Sequence, residues 1–368
     1  MDLKNHEEKE NEEQIIQKMI KKNLGKFYTE HYEYIFKEMN LPSYQNTNFV
    51  EPFVGKGHLL QFLEKYYQVD RSSLKIEYYD LESHIENTIV QDTIQTPPNY
   101  EDKFVITNPP FLARNKNDKK ETYDMYGAND LYKCFIKTVI HGNCIGGLLI
   151  LPINFWSSIR KNDIILRKMF IEKYKVKRMN LFEERVFKDT SFMVTAVLFE
   201  KREEGDEDYM IPTFIYPGGI EKNFEISEES KWMIGGDLYH LPQRGDIHIS
   251  RVYDKEDGED VIEPNTRIFL HALDDGKEKR IHLEYVEEGK ELYIGKHSDR
   301  TFATLHITPP LTSDKQKELI QRFNTYLEDK RDEYHSMFLT NYRESKEYAR
   351  KRISFQLVYE ILNYLLSQ

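Results

Sequence analysis

The sequence predicts an α/β fold, with a parallel-rich sheet over roughly residues 25–200 and a second, α+β unit over 201–368. Three observations point there. Strand-like runs alternate with helical periodicity as far as "MVTAVLFEK", the pattern made by helices that cross over a parallel sheet. The run "GGLLILPINF" is almost wholly apolar, which suits a strand covered on both faces. The stretch "TNFVEPFVGKGHLLQFLEKYY" reads as an apolar strand, a turn bearing Gly55 and Gly57, and a helix with Leu59, Leu60, Leu63 and Tyr67 turned inward.

In chain order, residues 1–24 read as a polar leader passing into a helix, with Ile15, Ile16, Met19, Ile20 and Leu24 on one stripe and Gly25 at its end. After the β-turn-α unit, "LKIEYYDLE" makes a second strand ending at Asp80, and "KFVITNPPF" a later one. Asn129 or Asp130 can cap a helix carrying Leu131, Phe135, Ile136, Val139 and Ile140, closed near Gly142. The charged connector "KREEGDEDYM" separates this region from shorter strand-like pieces, the pairs Gly218-Gly219 and Gly235-Gly236, and two helical stretches near 312–335 and 345–366.

Composition narrows the class. The chain has 368 residues, a size for two domains or one domain with a substantial extension; 39% are hydrophobic and 31% charged, as in a globular protein, and no apolar run approaches the ~20 residues of a membrane span. The start "MDLKNHEEKENEEQ" is acidic and does not read as a secretory signal. Two cysteines, Cys134 and Cys144, exclude a disulfide framework and a four-cysteine zinc site and fit a reducing cytoplasm. The net charge of −11 counts against a uniformly basic nucleic-acid binder, yet phosphate contacts need only a local basic face. Arg343, Lys346, Arg350, Lys351 and Arg352 could form one on a helix, with Glu344 and Glu347 making a solvated helix equally natural.

The stretch "FVITNPPFLAR" carries the chemistry. Phe104 to Thr107 suit a short buried strand that must stop at Asn108, because neither Pro109 nor Pro110 can donate to a ladder. Their carbonyls and the Asn108 amide then form a rigid rack of acceptors, with Phe111 as an apolar plane at its mouth and the charged run Arg114–Lys120 facing solvent or a polar partner; the plain alternative is a Pro-rich turn with a packed Phe. In "EPFVGKG", Glu51 ends a strand while Gly55 and Gly57 let backbone approach a ligand. Leu60 stands where a dinucleotide site has its third glycine, and no Gly-Lys-Ser/Thr follows, so NAD and ATP are disfavoured. Asp80 suits ribose hydroxyls and equally suits a helix cap.

Taken together, "KFYTEHY", "FVEPFVGKG", "YYDLE", "VQDTI", "VITNPPF", "NDLYKCFI" and "LLILPINFW" resemble, in order, the motifs of the gamma-class N6-adenine-specific DNA methyltransferases. The resemblance covers about the first 200 residues. It implies a Rossmann-like S-adenosylmethionine-dependent methyltransferase sheet (25–200), a C-terminal α+β target-recognition domain (201–368), S-adenosyl-L-methionine as cofactor and double-stranded DNA as substrate. A restriction endonuclease acting on the same site, of type II or absent in an orphan or viral enzyme, is the further partner it suggests. The close "NYRESKEYARKRISFQLVYEILNYLL" is similar to members acting on four-base sites such as CATG.

Carried over by residue, the resemblance assigns Phe27, Tyr28 and Thr29 to the methionine end of the cofactor, Glu51, Gly55 and Gly57 to its loop, Asp80 to its ribose and Asp92 to its adenine amino group. Asp92 before Thr93 equally reads as an Asx-turn. Asn108 and Pro109 would accept the two N6 hydrogens of a flipped-out adenine, held by Pro110, with Phe111 stacked on the base and Phe187 or Phe192 on its other face. Related families that methylate RNA or a protein glutamine share the Asn-Pro-Pro-aromatic motif, and a non-catalytic DNA-binding relative is the third reading. Against the glutamine enzymes stands the domain order, because only about 25 residues precede "FYT" here.

Overall fold

Nine strands build the first sheet: β1 (Asn48–Glu51), β2 (Ile76–Asp80), β3 (Ile89–Val90), β4 (Lys103–Thr107), β5 (Gly146–Pro152), β6 (Tyr174–Phe182), β7 (Val194–Lys201), β8 (Met210–Tyr216) and β9 (Ile220–Glu225), of which β1, β2 and β4 are short runs that end in a polar residue. The computed structural model describes residue 29 and residues 31–187, 193–254, 263–274, 278–342 and 350–368. Phe27, Tyr28, Phe192 and the helix expected before Gly25 lie outside the described residues.

The strands lie in the order β3-β2-β1-β4-β5-β7-β6-β8-β9. From β3 to β5 every pairing is parallel. β7 inserts antiparallel between β5 and β6, β8 runs parallel to β6, and β9 closes the edge antiparallel. This is a Rossmann-like α/β sheet. Its chain order turns around between β1 and β4, and in open α/β sheets the crevice at such a switch lies beyond the carboxyl ends of the strands.

Close packing explains the composition of β5. All seven residues of Gly146–Pro152 are buried, and a Cβ on Gly147 would sit 2.5 Å from the Val105 carbonyl oxygen, so only glycine lets β4 and β5 pair there. Helix α1 (His58–Tyr67) buries Leu59, Leu60, Phe62 and Leu63, and α2 (Leu131–Gly142) buries the expected Phe135, Ile136, Val139 and Ile140. Asn143 ends α2 in the left-handed conformation.

The chain divides into two compact units, the first reaching Glu225 except for Trp156–Ile159, which join the second with Ile226–Gln368. The boundary read from sequence at 200/201 falls at the end of β7. There the sheet continues, because Met179–Phe182 pair with Thr213–Tyr216 and Met210–Ile215 pair with β9. The charged run 202–208 is a connection within the unit, held by Arg202, whose guanidinium donates to the Asp206 and Asp208 carbonyls.

The second unit has a five-stranded sheet in the order β12-β11-β14-β10-β13, from β10 (His248–Asp254), β11 (Ile268–His271), β12 (His282–Tyr285), β13 (Gly295–Lys296) and β14 (Phe302–Thr308). Ile268, Leu270, Leu283, Leu305 and Ile307 alternate onto one face and share a core with Leu319, Phe323 and Leu327 of α3 (Ser313–Tyr334) and Leu357 and Ile361 of α4 (Phe355–Ser367). The last helix begins ten residues later than the expected 345. Ser354 accepts from the Leu357 N–H at 3.1 Å and caps it, and Arg350–Arg352 instead form a strand, β16, paired with β15 (Thr340–Tyr342). The basic helix face expected from residue 343 onward is therefore not present at 350–352, and Arg343 and Lys346 lie outside the described residues. Among the described residues, no helix is long and apolar enough to cross a membrane.

One buried ion pair fastens α3 to the sheet's loops. Asp274 accepts from both terminal nitrogens of Arg331 at 3.0 Å and from the N–H groups of Arg280 and Ile281 at 2.8 and 3.0 Å. Truncating Arg331 to Ala leaves that carboxylate buried without its cation, so Arg331→Ala should lower unfolding free energy by about 3–5 kcal/mol in denaturant melts. Asp274→Asn should cost less, because its carbonyl still accepts from the loop.

Candidate active site

The carboxyl ends of β1, β2 and β4 place three loops side by side. Glu51, last in β1, is fully buried. Its Oε1 accepts from the Phe53 N–H at 3.0 Å and from the Thr107 hydroxyl at the end of β4. Its Oε2 has no hydrogen-bond partner among the described residues. Burial pushes the Glu51 carboxyl up to about 8; the bonds from Thr107 and Phe53 pull the other way, and the nearby Asp80 charge adds to the rise.

After Glu51 the turn uses left-handed backbone at Gly55 and Gly57, with φ of +51° and +78°. At Gly57 a side chain would also press on Ile85, 3.2 Å from the added Cβ. The Gly55 N–H donates to Asp80 Oδ2 at 2.9 Å, so the carboxylate ending β2 braces the glycine turn. Asp92 behaves as the Asx-turn alternative requires: its Oδ1 accepts from the N–H groups of Ile94 and Gln95 at 3.1 and 3.0 Å, while the residue still borders the cleft.

The rack follows Thr107. Asn108 donates through Nδ2 to Thr29 Oγ1 at 3.2 Å, which joins the first motif to the fifth and sets the direction of the amide. Beyond the prolines, the Leu112 N–H donates to Asp130 Oδ1 at 3.0 Å, the Leu131 N–H to the Leu112 carbonyl at 3.1 Å, and the Arg114 N–H to the Asn129 carbonyl at 2.9 Å. Asp130 stands at the start of α2 without capping it through its side chain; it holds the rack's exit instead, and burial pushes its carboxyl up to about 7. Phe111, expected as an open plane, is 3% exposed and packs edge-on against Tyr132 at 5.9 Å between centroids. Arg114 turns onto Asp124, its Nη2 donating to the two carboxylate oxygens at 2.9 and 3.1 Å.

A cleft of about 440 Å³ opens between these loops. Gly55, Asp80, Asp92, Asn108 and Pro110 line it, with Phe53, Leu81, Ile94, Leu112 and Leu131 as apolar walls and Asn117, Asp118 and Lys119 beside them. Thr29 and Glu51 are buried behind the lining residues, bonded to Asn108 and to the turn. Phe187 is 3% exposed and does not line the cleft. A larger hollow of about 850 Å³ lies at the opposite strand ends, around Phe104, Ile145 and Arg178, and contains none of the candidate site residues.

Sequence reasoning missed Thr107, Asp130, Leu81 and Ile94. Leu81 carried a signal, an apolar residue directly after a strand-ending carboxylate, and it is 51% exposed on the cleft wall. Thr107 was visible only as a strand residue, since its partner Glu51 is 56 positions away.

No protein-family model matches the sequence, and no curated protein matches it. Solved structures resemble part of it. The modification subunit of a candidate type I restriction enzyme from Vibrio vulnificus superposes with a TM-score of 0.42 at 13% identity, over 54% of this chain and 49% of that one. The methyltransferase subunit of a type I restriction-modification system from Streptococcus thermophilus gives 0.37 at 16%, over 55% and 51%. The M protein of the type I restriction enzyme EcoKI gives 0.36 at 11%, over 53% and 50%. The chain thus spans about half the length of these proteins, and likeness of this degree adds nothing to what the strand order itself establishes.

The raised Glu51 carboxyl sets a pH dependence. A group whose value climbs from 4.5 to about 8 on folding holds its proton in the folded state, so it stabilises below about pH 4.5 and that stability drains away as pH rises to about 8. The melting temperature of ligand-free protein should fall across this window, and Glu51→Gln should flatten the fall.

Proposed function

We propose that the chain is an S-adenosylmethionine-dependent DNA methyltransferase that modifies N6 of adenine. The observation carrying this reading is the convergence on one cleft of Gly55 and Asp80, from the glycine turn and the strand-ending carboxylate, with Asn108 and Pro110 of the acceptor rack. The cleft's volume falls within the ~300–1,000 Å³ of small-molecule sites, and it joins apolar walls to a few polar groups.

The residues fit the cofactor. Left-handed Gly55 and Gly57 leave room for close backbone approach, Asp80 offers carboxylate oxygens to ribose hydroxyls, and Phe53, Leu81 and Ile94 offer apolar surface to an adenine ring. Behind the turn, the buried Glu51 with its unbonded Oε2 suits a cationic group nearby. When bound, S-adenosylmethionine supplies a methyl group made electrophilic by its sulfonium.

The rack supplies the rest. An exocyclic adenine amine is a poor nucleophile while its lone pair is delocalised into the ring. The Asn108 side-chain carbonyl and the Pro109 main-chain carbonyl accept its two N–H groups and hold them in a geometry that frees the pair, without a strong general base. Thr29 keeps the Asn108 amide nitrogen engaged, so the carbonyl is the end directed to substrate. An adenine paired in a duplex cannot reach such a site and must be flipped out. Stacking on Phe111 requires that ring to be uncovered as the base enters, and Phe187 or Phe192 is the candidate for the second face. The unit from Ile226 onward is the candidate target-recognition domain, for a short site in double-stranded DNA.

Labelled S-adenosylmethionine incubated with mixed DNA should yield N6-methyladenine in one short sequence context; label found only in RNA or in a protein glutamine rejects the reading. Asn108→Ala should lower kcat by ~10²-fold or more with cofactor affinity in calorimetry retained, as removal of an oriented hydrogen-bonding group does elsewhere. Asp80→Ala should do the reverse, weakening the cofactor first.

A further inference from the structure

The face of the second sheet opposite its helices carries a side-chain cluster that the proposed reaction does not use. β11 and β12 pair antiparallel with His271 directly across from His282, and Glu284 stands two residues further along β12. Side chains alternate along a strand, so these three share the face turned away from Leu270 and Leu283, which belong to the core. The imidazole rings stack with centroids 4.4 Å apart and planes within 9°. His271 Nε2 is 3.5 Å from Glu284 Oε1, and His282 Nε2 is 3.7 Å from Glu284 Oε2. Both distances exceed a good hydrogen bond. One ligand atom from each residue lies within 4.8 Å of the others.

The orientation of the donors is set from behind. His282 Nδ1 lies 2.7 Å from the Arg280 carbonyl oxygen, which can only accept, so Nδ1 carries the hydrogen and Nε2 of the neutral ring keeps its lone pair on the Glu284 side. A ring nitrogen held this way by a backbone carbonyl is the usual support of a metal-binding imidazole. The Phe302 ring meets His271 edge-to-face at 5.3 Å and restrains it. The side chains of His271, His282 and Glu284 are 28%, 41% and 50% exposed, so an ion can reach them from solvent.

We propose that His271, His282 and Glu284 bind one divalent transition-metal ion, for which Zn²⁺ is best suited, with water completing the coordination. Two imidazoles and a carboxylate match Zn²⁺ at ligand distances of about 2.0–2.2 Å, reached when the two half-exposed rings tilt out of their stack so that the ion lies in the plane of both. Mg²⁺ and Ca²⁺, which take oxygen ligands, do not fit. The ion clips β12, the edge strand, to β11. The assignment is independent of the methyltransferase reading.

The test uses the tag-free full chain after dialysis against a chelator. Calorimetric titration with ZnCl₂ should give one equivalent bound and a raised melting temperature, MgCl₂ should give neither, and bound Co²⁺ should show visible d–d bands. His271→Ala and His282→Ala should each weaken Zn²⁺ binding about tenfold or more, and Glu284→Gln should weaken it less. Circular dichroism without metal checks that each variant folds; if His271→Ala does not, His282→Gln decides. Absence of Zn²⁺ binding by the wild type, or an undiminished equivalent in the folded His282 variants, overturns the proposal.

Discussion

The bond from the Thr107 hydroxyl to the buried Glu51 carboxyl is the constraint on which the candidate site depends. β1 and β4 are neighbours at the turn-around of the sheet, with Val50 beside Val105, so their ends would be close in any case. The bond makes them act together. The glycine turn starts at the residue after Glu51, and the acceptor rack starts at the residue after Thr107. Glu51 Oε1 also accepts from the Phe53 N–H, and Asp80 takes up the Gly55 N–H, so three strand ends share two carboxyls. The cleft is thereby framed by rigid elements, the condition for holding reacting groups within fractions of an ångström.

The strands of the first unit were legible because burial on both faces leaves apolar runs, and Gly, Pro and Asn mark where they stop. Their spatial order was not, since "NFVE" pairs with both "IEYYD" and "KFVIT" through backbone groups that carry no sequence signal. The boundary near 200 misplaced β8 and β9 for a related reason. A charged connector between strands of one sheet looks the same as a linker between domains, and only pairing across the sheet distinguishes them. At 350–352, helical propensity of Arg and Lys lost to the Ser354 cap that starts the last helix downstream.

In the site, the residues that sequence reasoning brought together are those whose chemistry is carried by type and turn position: Gly55, Asp80, Asn108 and Pro110. It misjudged exposure. Phe111 follows two prolines and a charged run follows it, which suggested an open ring, yet α2 comes back against the rack through the Ala113–Asp130 bridge and places Tyr132 beside Phe111. The roles of Thr107 and of the Asp130 side chain, read from sequence only as a strand residue and a candidate helix cap, rest on bonds to Glu51 and Leu112, which are distant in sequence.

Buried carboxyls elsewhere in the molecule show what is unusual about Glu51. Asp163 has the Lys133 ammonium at 2.6 Å, and Asp274 has the Arg331 guanidinium, so each charge taken from water is met by an opposite one. Glu51 has two hydrogen-bond donors and, among the described residues, no ion-pair partner. Two donors on one oxygen leave the other without a bond, and burial then favours the protonated form. Glu51, unlike Asp163 and Asp274, is left incompletely met beside a glycine turn. On the proposed reading, a cation held by that turn would supply the stabilisation missing there, favour the ionised carboxylate and turn part of the local cost of burying Glu51 into ligand affinity.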